Sequence, residues 1–339
     1  TLDTVKLPET SREGVVLVTG AGDCGQLGLG PDVYEKNRPA LLQLSHEIVD
    51  ICAGGMHTIL TFGCNDEGAL GRITEGIEDS ECTPGEVELP GKVIQMSAGD
   101  SHSAALLDDG RVFAWGTFRD SHGNMGLTLK GNEKLPYEII QDVHVIKIAS
   151  GAEHIVFLTN HGEIYTCGCA EQGQLGRTSA RGCTRNARTK LLQPSLINLK
   201  PSLKLHFDNI WAGTYGTFAK VAGKNDVYVC GLNNYNQIGL KSLDPQYLPK
   251  LSKEFSKYKW NMICSAQHHT IALDENGELY GWGMGTNGQL GTGGEDDCFE
   301  PTLIKSKQLV DRPVFKVSGG GQHTVILATN TNNNKGDTE

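Results

Sequence analysis

Two stretches of this chain carry functional groups at a density the rest lacks. Residues 117–124 read TFRDSHGN and set a guanidinium (Arg119), a carboxylate (Asp120), a hydroxyl (Ser121), an imidazole (His122) and an amide (Asn124) almost side by side. Phe118 and Gly123 complete a segment suited to offering charge and hydrogen bonds from a projecting turn. The second stretch runs from Arg177 to Phe207. It has no Asp or Glu but seven basic residues: Arg177, Arg181, Arg185, Arg188, Lys190, Lys200 and Lys204. Arginine at this density suits planar recognition of carboxylates or phosphates. The plainer readings are a longer turn and a solvated charged loop.

Other constellations carry less. Gly20-x-Gly22-x-x-Gly25 follows a strand pattern as a dinucleotide-binding turn would, but Gln26-Leu27-Gly28 stands where a helix should begin. The spacing recurs elsewhere without those glycines, so no cofactor is expected. His57, His102, His154, His269 and His323 could suggest a metal. They hold equivalent places in successive repeats, which spreads them apart. Each is expected to bond to backbone within its own repeat, and no metal is expected. Cys167 and Cys169 are the only close pair among ten cysteines, which read as small apolar residues. Trp115, Trp211, Trp260 and Trp282 read as core.

The elements that must position these groups follow from repetition. A glycine phrase occurs six times: 20–28 (GAGDCGQLG), 63–71 (GCNDEGALG), 116–126 (GTFRDSHGNMG), 168–176 (GCAEQGQLG), 231–239 (GLNNYNQIG) and 283–291 (GMGTNGQLG). The final glycines stand 43, 55, 50, 63 and 52 residues apart. A short strand pattern precedes the phrase, as in RVFAWG (111–116) and ELYGWG (278–283). Further upstream lies a small-residue-plus-His phrase, as in AGDSHS (98–103), SGAEHI (150–155) and SAQHHT (265–270). Turn signals such as Asp108-Asp109-Gly110 lie between them, giving strand, turn and strand. With no helical period, each unit reads as a four-stranded sheet of a β-propeller. The chain starts in mid-unit and stops after half a unit. Pairing of the N- and C-terminal strands is therefore expected to close the ring and remove exposed sheet edges. The expected domain layout is a polar segment at 1–12, a propeller at 13–328 and a polar tail at 329–339.

Composition sets the outer limits. Forty-three glycines against 12 prolines in 339 residues describe a turn-rich folded chain. A formal net charge of −10 argues against a DNA binder that works by overall charge, without excluding a local basic surface. No apolar run approaches the length of a membrane helix, and residues 1–14 lack the apolar centre of a signal peptide. Neither a membrane contact nor secretion is expected, and the cysteine usage suits a reducing compartment.

The GxNxxGQLG and AGxxHT phrases on this period resemble the repeats of the regulator of chromosome condensation family, seven-bladed propellers. The resemblance covers about 13–328 and is closest in 61–72 (TFGCNDEGALGR), 97–106 (SAGDSHSAAL), 108–116 (DDGRVFAWG) and 282–293 (WGMGTNGQLGTG). It implies guanine-nucleotide exchange on the small GTPase Ran, with no covalent chemistry and no cofactor. It further implies a monomer in the nucleus, tethered to chromatin through the acidic histone patch of the nucleosome and through DNA. Residues 118–124 would be the wedge pressed against the GTPase. The exchange face would use Asp100, Glu153 and His268. Arg185 and Arg188, then Arg181 and Lys190, would meet histone carboxylates. The rivals are a non-catalytic interaction scaffold built on the same repeat, or a nucleic-acid-binding propeller without exchange activity.

The chain departs from the family pattern in places. Glu153 stands where the family has aspartate. His102 and Trp115, His154 and Cys167, and His269 and Trp282 are each 13 residues apart, whereas His57 and Phe62 are 5 apart. That is too short for the usual hairpin, so about eight residues are expected to be missing near 60–62. Six phrases rather than seven suggest that a further unit is missing between Ser252 and Gly281, the alternative being a six-bladed ring.

Overall fold

The computed structural model describes residues 16–21, 27–42, 57–58, 61–183, 185–197, 199, 205–310, 312–319 and 323–328; the polar segments 1–12 and 329–339 lie outside them. The chain divides into two compact units, Thr1–Glu171 with Arg181–Ile197, and Gln172–Ala180 with Asn198–Glu339. Both are built from antiparallel sheets arranged as blades.

The first unit opens with β1 (Val16–Ala21) paired to β2 (Glu35–Leu42), then β3 (His57–Thr58) paired to β4 (Phe62–Gly63). Next come β5 (Val93–Ala98), β6 (His102–Leu107) and β7 (Val112–Gly116). A small separate hairpin, β8 (Phe118–Asp120) with β9 (Gly123–Gly126), follows before β10 (Glu133–Ile140) completes a sheet in the order β10-β7-β6-β5. The next sheet runs in chain order through β11 (Val145–Ser150), β12 (His154–Thr159), β13 (Ile164–Gly168) and β14 (Ser195–Leu196). A short helix, α1 (Arg188–Leu192), precedes β14.

The second unit repeats the pattern. One sheet holds β15 (Phe207–Gly213), β16 (Gly216–Val221), β17 (Val227–Gly231) and β18 (Gln246–Ser252). Another holds β19 (Trp260–Ser265), β20 (His269–Asp274), β21 (Leu279–Gly283) and β22 (Cys298–Leu303), and β23 (Val314–Gly319) pairs with β24 (Thr324–Ala328). The strands expected to close a ring are each seen with their own hairpin partner, β1 with β2 and β24 with β23. After β1, residues 22–26 lie outside the described residues, and 27–34 form turns that lead into β2.

The repeat phrases fix register. The His phrase faces the first glycine of the following glycine phrase: His102↔Gly116, His154↔Gly168 and His269↔Gly283. Gly116 has φ of 93°, and a Cβ there would lie 2.2 Å from the Ser101 carbonyl oxygen, so no other residue fits. The short second hairpin keeps this register, with His57↔Gly63 and Thr58↔Phe62, and omits only the outer rungs. A hairpin therefore does fit in the short spacing, contrary to expectation. Arg72 stands in for the missing rungs: its Nη2 donates to the carbonyls of Thr61 (2.6 Å) and Ser80 (2.7 Å). Four outer strands carry a proline inside a register shift: Pro39 in β2, Pro136 in β10, Pro249 in β18 and Pro301 in β22. There a missing N–H costs no ladder bond, and it blunts the sheet edge.

One of the repeat histidines differs from expectation. His102, His154 and His269 are fully buried, but His269 Nε2 lies 3.2 Å from Thr324 Oγ1 on the next sheet rather than bonding backbone in its own. His102 packs its ring against Phe118, with centroids 4.8 Å apart. All four tryptophans are buried, and Trp260 and Trp282 pack with Phe218 and Phe255 in the core of the second unit. Among the described cysteines, Cys167, Cys169 and Cys230 are buried and the other five are partly exposed; none forms a disulfide.

What joins one blade to the next is a carbonyl in the glycine phrase. The Gln237 oxygen accepts from Thr270 Oγ1 (2.8 Å) and Trp282 Nε1 (3.1 Å). The Ala69 oxygen accepts from Ser103 Oγ (3.1 Å) and Trp115 Nε1 (2.8 Å), and the Gln289 oxygen accepts from Thr324 Oγ1 (2.8 Å). The Gln174 oxygen accepts from Thr217 Oγ1 (2.7 Å) and from the Cys230 thiol (3.7 Å), a weak donor. Thr217→Val should therefore cost about 2 kcal/mol and Thr270→Val about 1 kcal/mol, because of these two carbonyls only that of Gln237 keeps an indole N–H. Urea midpoints measure this; equal losses would contradict the ranking.

Candidate functional site

In two of the glycine phrases the turn is organised by an asparagine two places after the first glycine. Asn65 Nδ2 donates to the Arg72 carbonyl (3.1 Å) while its Oδ1 accepts from Leu70 N (3.0 Å), and Asn233 does the same with Leu240 and Ile238. In the third phrase Phe118 occupies that place. It is fully buried against His102, and the backbone beyond it leaves as the β8–β9 hairpin. Arg119 pairs with Asn124 and Asp120 with Gly123 across it, and His122 N donates to Asp120 Oδ1 at 2.8 Å to shape the tip. Arg119, Ser121 and His122 are exposed, so the segment projects as its residue types suggest.

Three glutamates from separate loops hold this tip. Glu153 Oε2 accepts from Arg119 N (2.7 Å). Glu171 accepts from Ser121 twice, through Oε2 from the backbone N–H (2.9 Å) and through Oε1 from the hydroxyl (2.5 Å). Glu67 Oε2 accepts from Asn124 Nδ2 (2.7 Å) and Asn132 Nδ2 (2.6 Å), while its Oε1 lies 3.6 Å from Arg119 Nη1. Reading the sequence alone misses Glu67 and Glu171. The available signal is a Glu in each of the glycine phrases flanking the third, GCNDEG and GCAEQG. Asp120, His122 and Glu171 also bring three possible ligand atoms within 4.8 Å of one another, but both Glu171 oxygens are already engaged by Ser121.

Of the expected exchange residues, the fold brings Asp100 and Glu153 together on consecutive loops, joined by Asp100 N to the Ala152 carbonyl at 2.9 Å. Burial pushes the Glu153 carboxyl up to about 8, helped by the negative charges of Asp100 and Glu67 and opposed by the Arg119 N–H and guanidinium. Asp100 is exposed at the surface, yet enough protein surrounds its carboxyl for desolvation to push it upward. His268 belongs to the second unit. Its ring lies edge-on to Tyr235 with centroids 5.1 Å apart, and burial lowers its basicity.

The basic segment is more ordered than a solvated loop. It forms two 3₁₀ turns, Ala180–Gly182 and Arg185–Ala187, followed by α1, which is anchored by the buried Leu191 and Leu192. Arg181 and Lys190 are exposed. Arg188 instead turns inward, with Nη2 donating to the Thr128 carbonyl (3.3 Å) beside Gly126. It is tied to its own chain rather than extended toward a partner. The Arg185 side chain lies outside the described residues.

Residues 15–333 match the RCC1-like domain. The chain belongs to that family. Its sequence is 43% identical to the regulator of chromosome condensation of Xenopus laevis, covering 93% of this chain and 89% of the relative. It is 26% identical to the guanine nucleotide exchange factor SRM1 of Saccharomyces cerevisiae, covering 90% of this chain and 85% of that protein. Among solved structures it resembles Prp20p from the same yeast (TM-score 0.60, 26% identity, 94% of this chain and 92% of that one), which was described with its binding properties to Gsp1p and histones. The Xenopus alignment runs over 381 positions, against 339 residues in this chain. The alignment takes in 93% of this chain, about 315 residues, so about 66 aligned positions have no counterpart here.

The Glu153 environment sets a pH dependence. Its carboxyl keeps a proton in the folded chain up to about 8, whereas the unfolded chain releases it near 4.5, so folding binds the proton and stability falls as pH rises across that window. Glu153→Gln retains the acceptor for Arg119 N and should flatten this decline, making the variant more stable than the parent at the upper end. Urea midpoints at about pH 5 and about pH 8 test it; an unchanged slope would mean that Glu153 ionises normally.

Proposed function

We propose that this chain is a guanine-nucleotide exchange factor for the small GTPase Ran that works in the nucleus on chromatin. The observation that carries the reading is the β8–β9 hairpin, a single departure from the repeat that projects beside Asp100 and Glu153 in a member of the RCC1-like family. The exposed tip of this hairpin, Arg119 and Ser121 to His122, has no part in blade packing, and a generic scaffold has no use for it.

The chemistry required is displacement rather than bond making. A GTPase holds its nucleotide through its phosphate loop, its switch segments and Mg²⁺. A protein that binds the nucleotide-free form more tightly weakens nucleotide binding by the same factor. Phe118 roots the wedge in the core, and Arg119, Asp120, Ser121, His122, Gly123 and Asn124 form its working edge. The acidic surroundings disfavour phosphate and can pair with cationic groups that the leaving phosphates uncover. The factor itself forms and breaks no covalent bond, and acts catalytically only in that it is regenerated.

Chromatin attachment rests on the basic segment. Arg181 and Lys190 are exposed and suited to histone carboxylates, with Arg185 as a further candidate. Arg188 supports the segment from beneath through Thr128.

Release of mant-GDP from Ran tests the exchange reading: the chain should accelerate it, and no acceleration would end the proposal. Asp100→Ala should slow the accelerated release about tenfold without shifting Tm; a large Tm shift would make the residue structural. His268→Ala is expected to behave in the same way, and an unchanged release rate would remove it from the exchange face. For chromatin, Arg181→Glu with Lys190→Glu should weaken nucleosome binding about tenfold while exchange stays intact. Unchanged nucleosome affinity would remove the segment from the interface.

A further inference from the structure

The wedge sits at a blade junction where the usual lock is weakened. Elsewhere the carbonyl two residues before the closing glycine of the phrase, at Ala69, Gln174, Gln237 or Gln289, takes a hydroxyl donor from the next hairpin, and at Ala69 and Gln237 an indole N–H as well. In the third phrase the aligned residue is Asn124. The positions that should supply its donors are Ile155, which has no hydroxyl, and Cys167, whose thiol is a weak donor in place of an indole. A two-stranded hairpin of three and four residues does not hold its shape in water unaided. Phe118 and Met125 are buried and secure its base, but Arg119 to Asn124 lie beyond their reach.

We propose that Glu67 and Glu171, together with Glu153 beneath, form a carboxylate clamp that holds the exchange wedge in its working shape, acting as positioning residues. Glu171 grips the tip at Ser121 N and Oγ, Glu153 grips the rising strand at Arg119 N, and Glu67 grips the returning strand at Asn124 Nδ2. The three contacts converge from three loops. They restrain the tip without spanning it, so its outer edge stays open to a partner. Hydrogen bonds to the Glu67 and Glu171 carboxylates are stronger than neutral ones such as that to Glu153, whereas the exposed Arg119–Glu67 ion pair at 3.6 Å contributes little by itself. A wedge ordered in advance avoids the entropy cost of ordering when it docks. The clamp serves the exchange reading above and rests on it for its purpose, but the geometry can be tested independently.

The experiment compares the parent chain with Glu67→Ala, Glu171→Ala and the double variant, using two measurements. Hydrogen–deuterium exchange should rise in the peptide covering 118–126 and stay unchanged in 102–116. Maximal mant-GDP release from Ran should fall about tenfold in the double variant with KM altered less than about twofold, because the wedge acts as nucleotide leaves rather than in first contact. Glu171→Gln, which keeps one acceptor for Ser121, should recover part of the loss. Unchanged exchange at 118–126, or loosening that spreads equally into 102–116, overturns the clamp. An ordered wedge lost in the variants with no effect on release overturns its role in positioning. If the parent fails to release mant-GDP, the exchange reading falls, and the hydrogen–deuterium measurement alone decides whether the clamp holds the hairpin.

Discussion

The structure depends on one recurring hydrogen bond: the hydroxyl that follows the repeat histidine, donated into a main-chain carbonyl of the preceding glycine phrase. Its geometry explains why the phrase is spelled as it is. In GQLG-type turns the Gln side chain folds back on its own turn, with Oε1 accepting from Gln172 N (2.9 Å), Tyr235 N (2.9 Å) or Asn287 N (2.8 Å). That engages the amide locally and leaves the backbone carbonyl of the same residue free for the neighbouring hairpin. The flanking glycines permit the tight turn, and the buried Leu or Ile pins it to the core. One four-residue phrase therefore closes its own loop and locks the next blade. A buried carbonyl without a partner costs more than the bond itself contributes. A donor is therefore supplied at these junctions even when, as at Gln174, the indole gives way to a thiol.

A second constraint is electrostatic. The chain is acidic overall, and around the wedge tip it concentrates Glu67, Asp100, Asp120, Glu153 and Glu171 near the guanidinium of Arg119. Such crowding is unfavourable unless the carboxylates accept hydrogen bonds or keep protons. Glu67 and Glu171 are satisfied by donors from the hairpin, whereas Glu153 is held protonated up to about 8 by burial and by its acidic neighbours. The hairpin is therefore more than an ornament on an acidic face, since its N–H, amide and hydroxyl groups are what make that face tolerable.

Whatever repeats is legible in the sequence. The blade pattern, the strand order within each sheet, the buried tryptophans and the projecting hairpin can all be read there, because period and turn chemistry are local signals. Long-range contacts cannot. Arg188 reads as an open anchor because its partner, the Thr128 carbonyl, lies 60 residues away and a carbonyl has no residue signature. His269 reads as bonded within its own blade, but it reaches Thr324. Glu67 and Glu171 sit inside phrases that otherwise obey the repeat, so a search for departures passes over them. Spacing alone makes the hairpin at His57 too short to form. What spacing does not show is Arg72 filling the place of the missing rungs.

The wedge and the lock compete for the same stretch of backbone, and this fixes where such a device can arise. The hairpin grown from the third glycine phrase includes Asn124, the residue aligned with those whose carbonyls the next blade binds elsewhere. The β12 and β13 strands present Ile155 and Cys167 at the positions of the hydroxyl and the indole, and β12 is buried throughout its length, so apolar packing carries more of this junction. Apolar contact needs no fixed partner atom and tolerates the altered turn. A junction held by packing is therefore the one that can carry an insertion, while the junctions held by directed hydrogen bonds keep the ordinary phrase. The carboxyl groups of Glu67, Glu153 and Glu171 add directional hydrogen bonds at the surface.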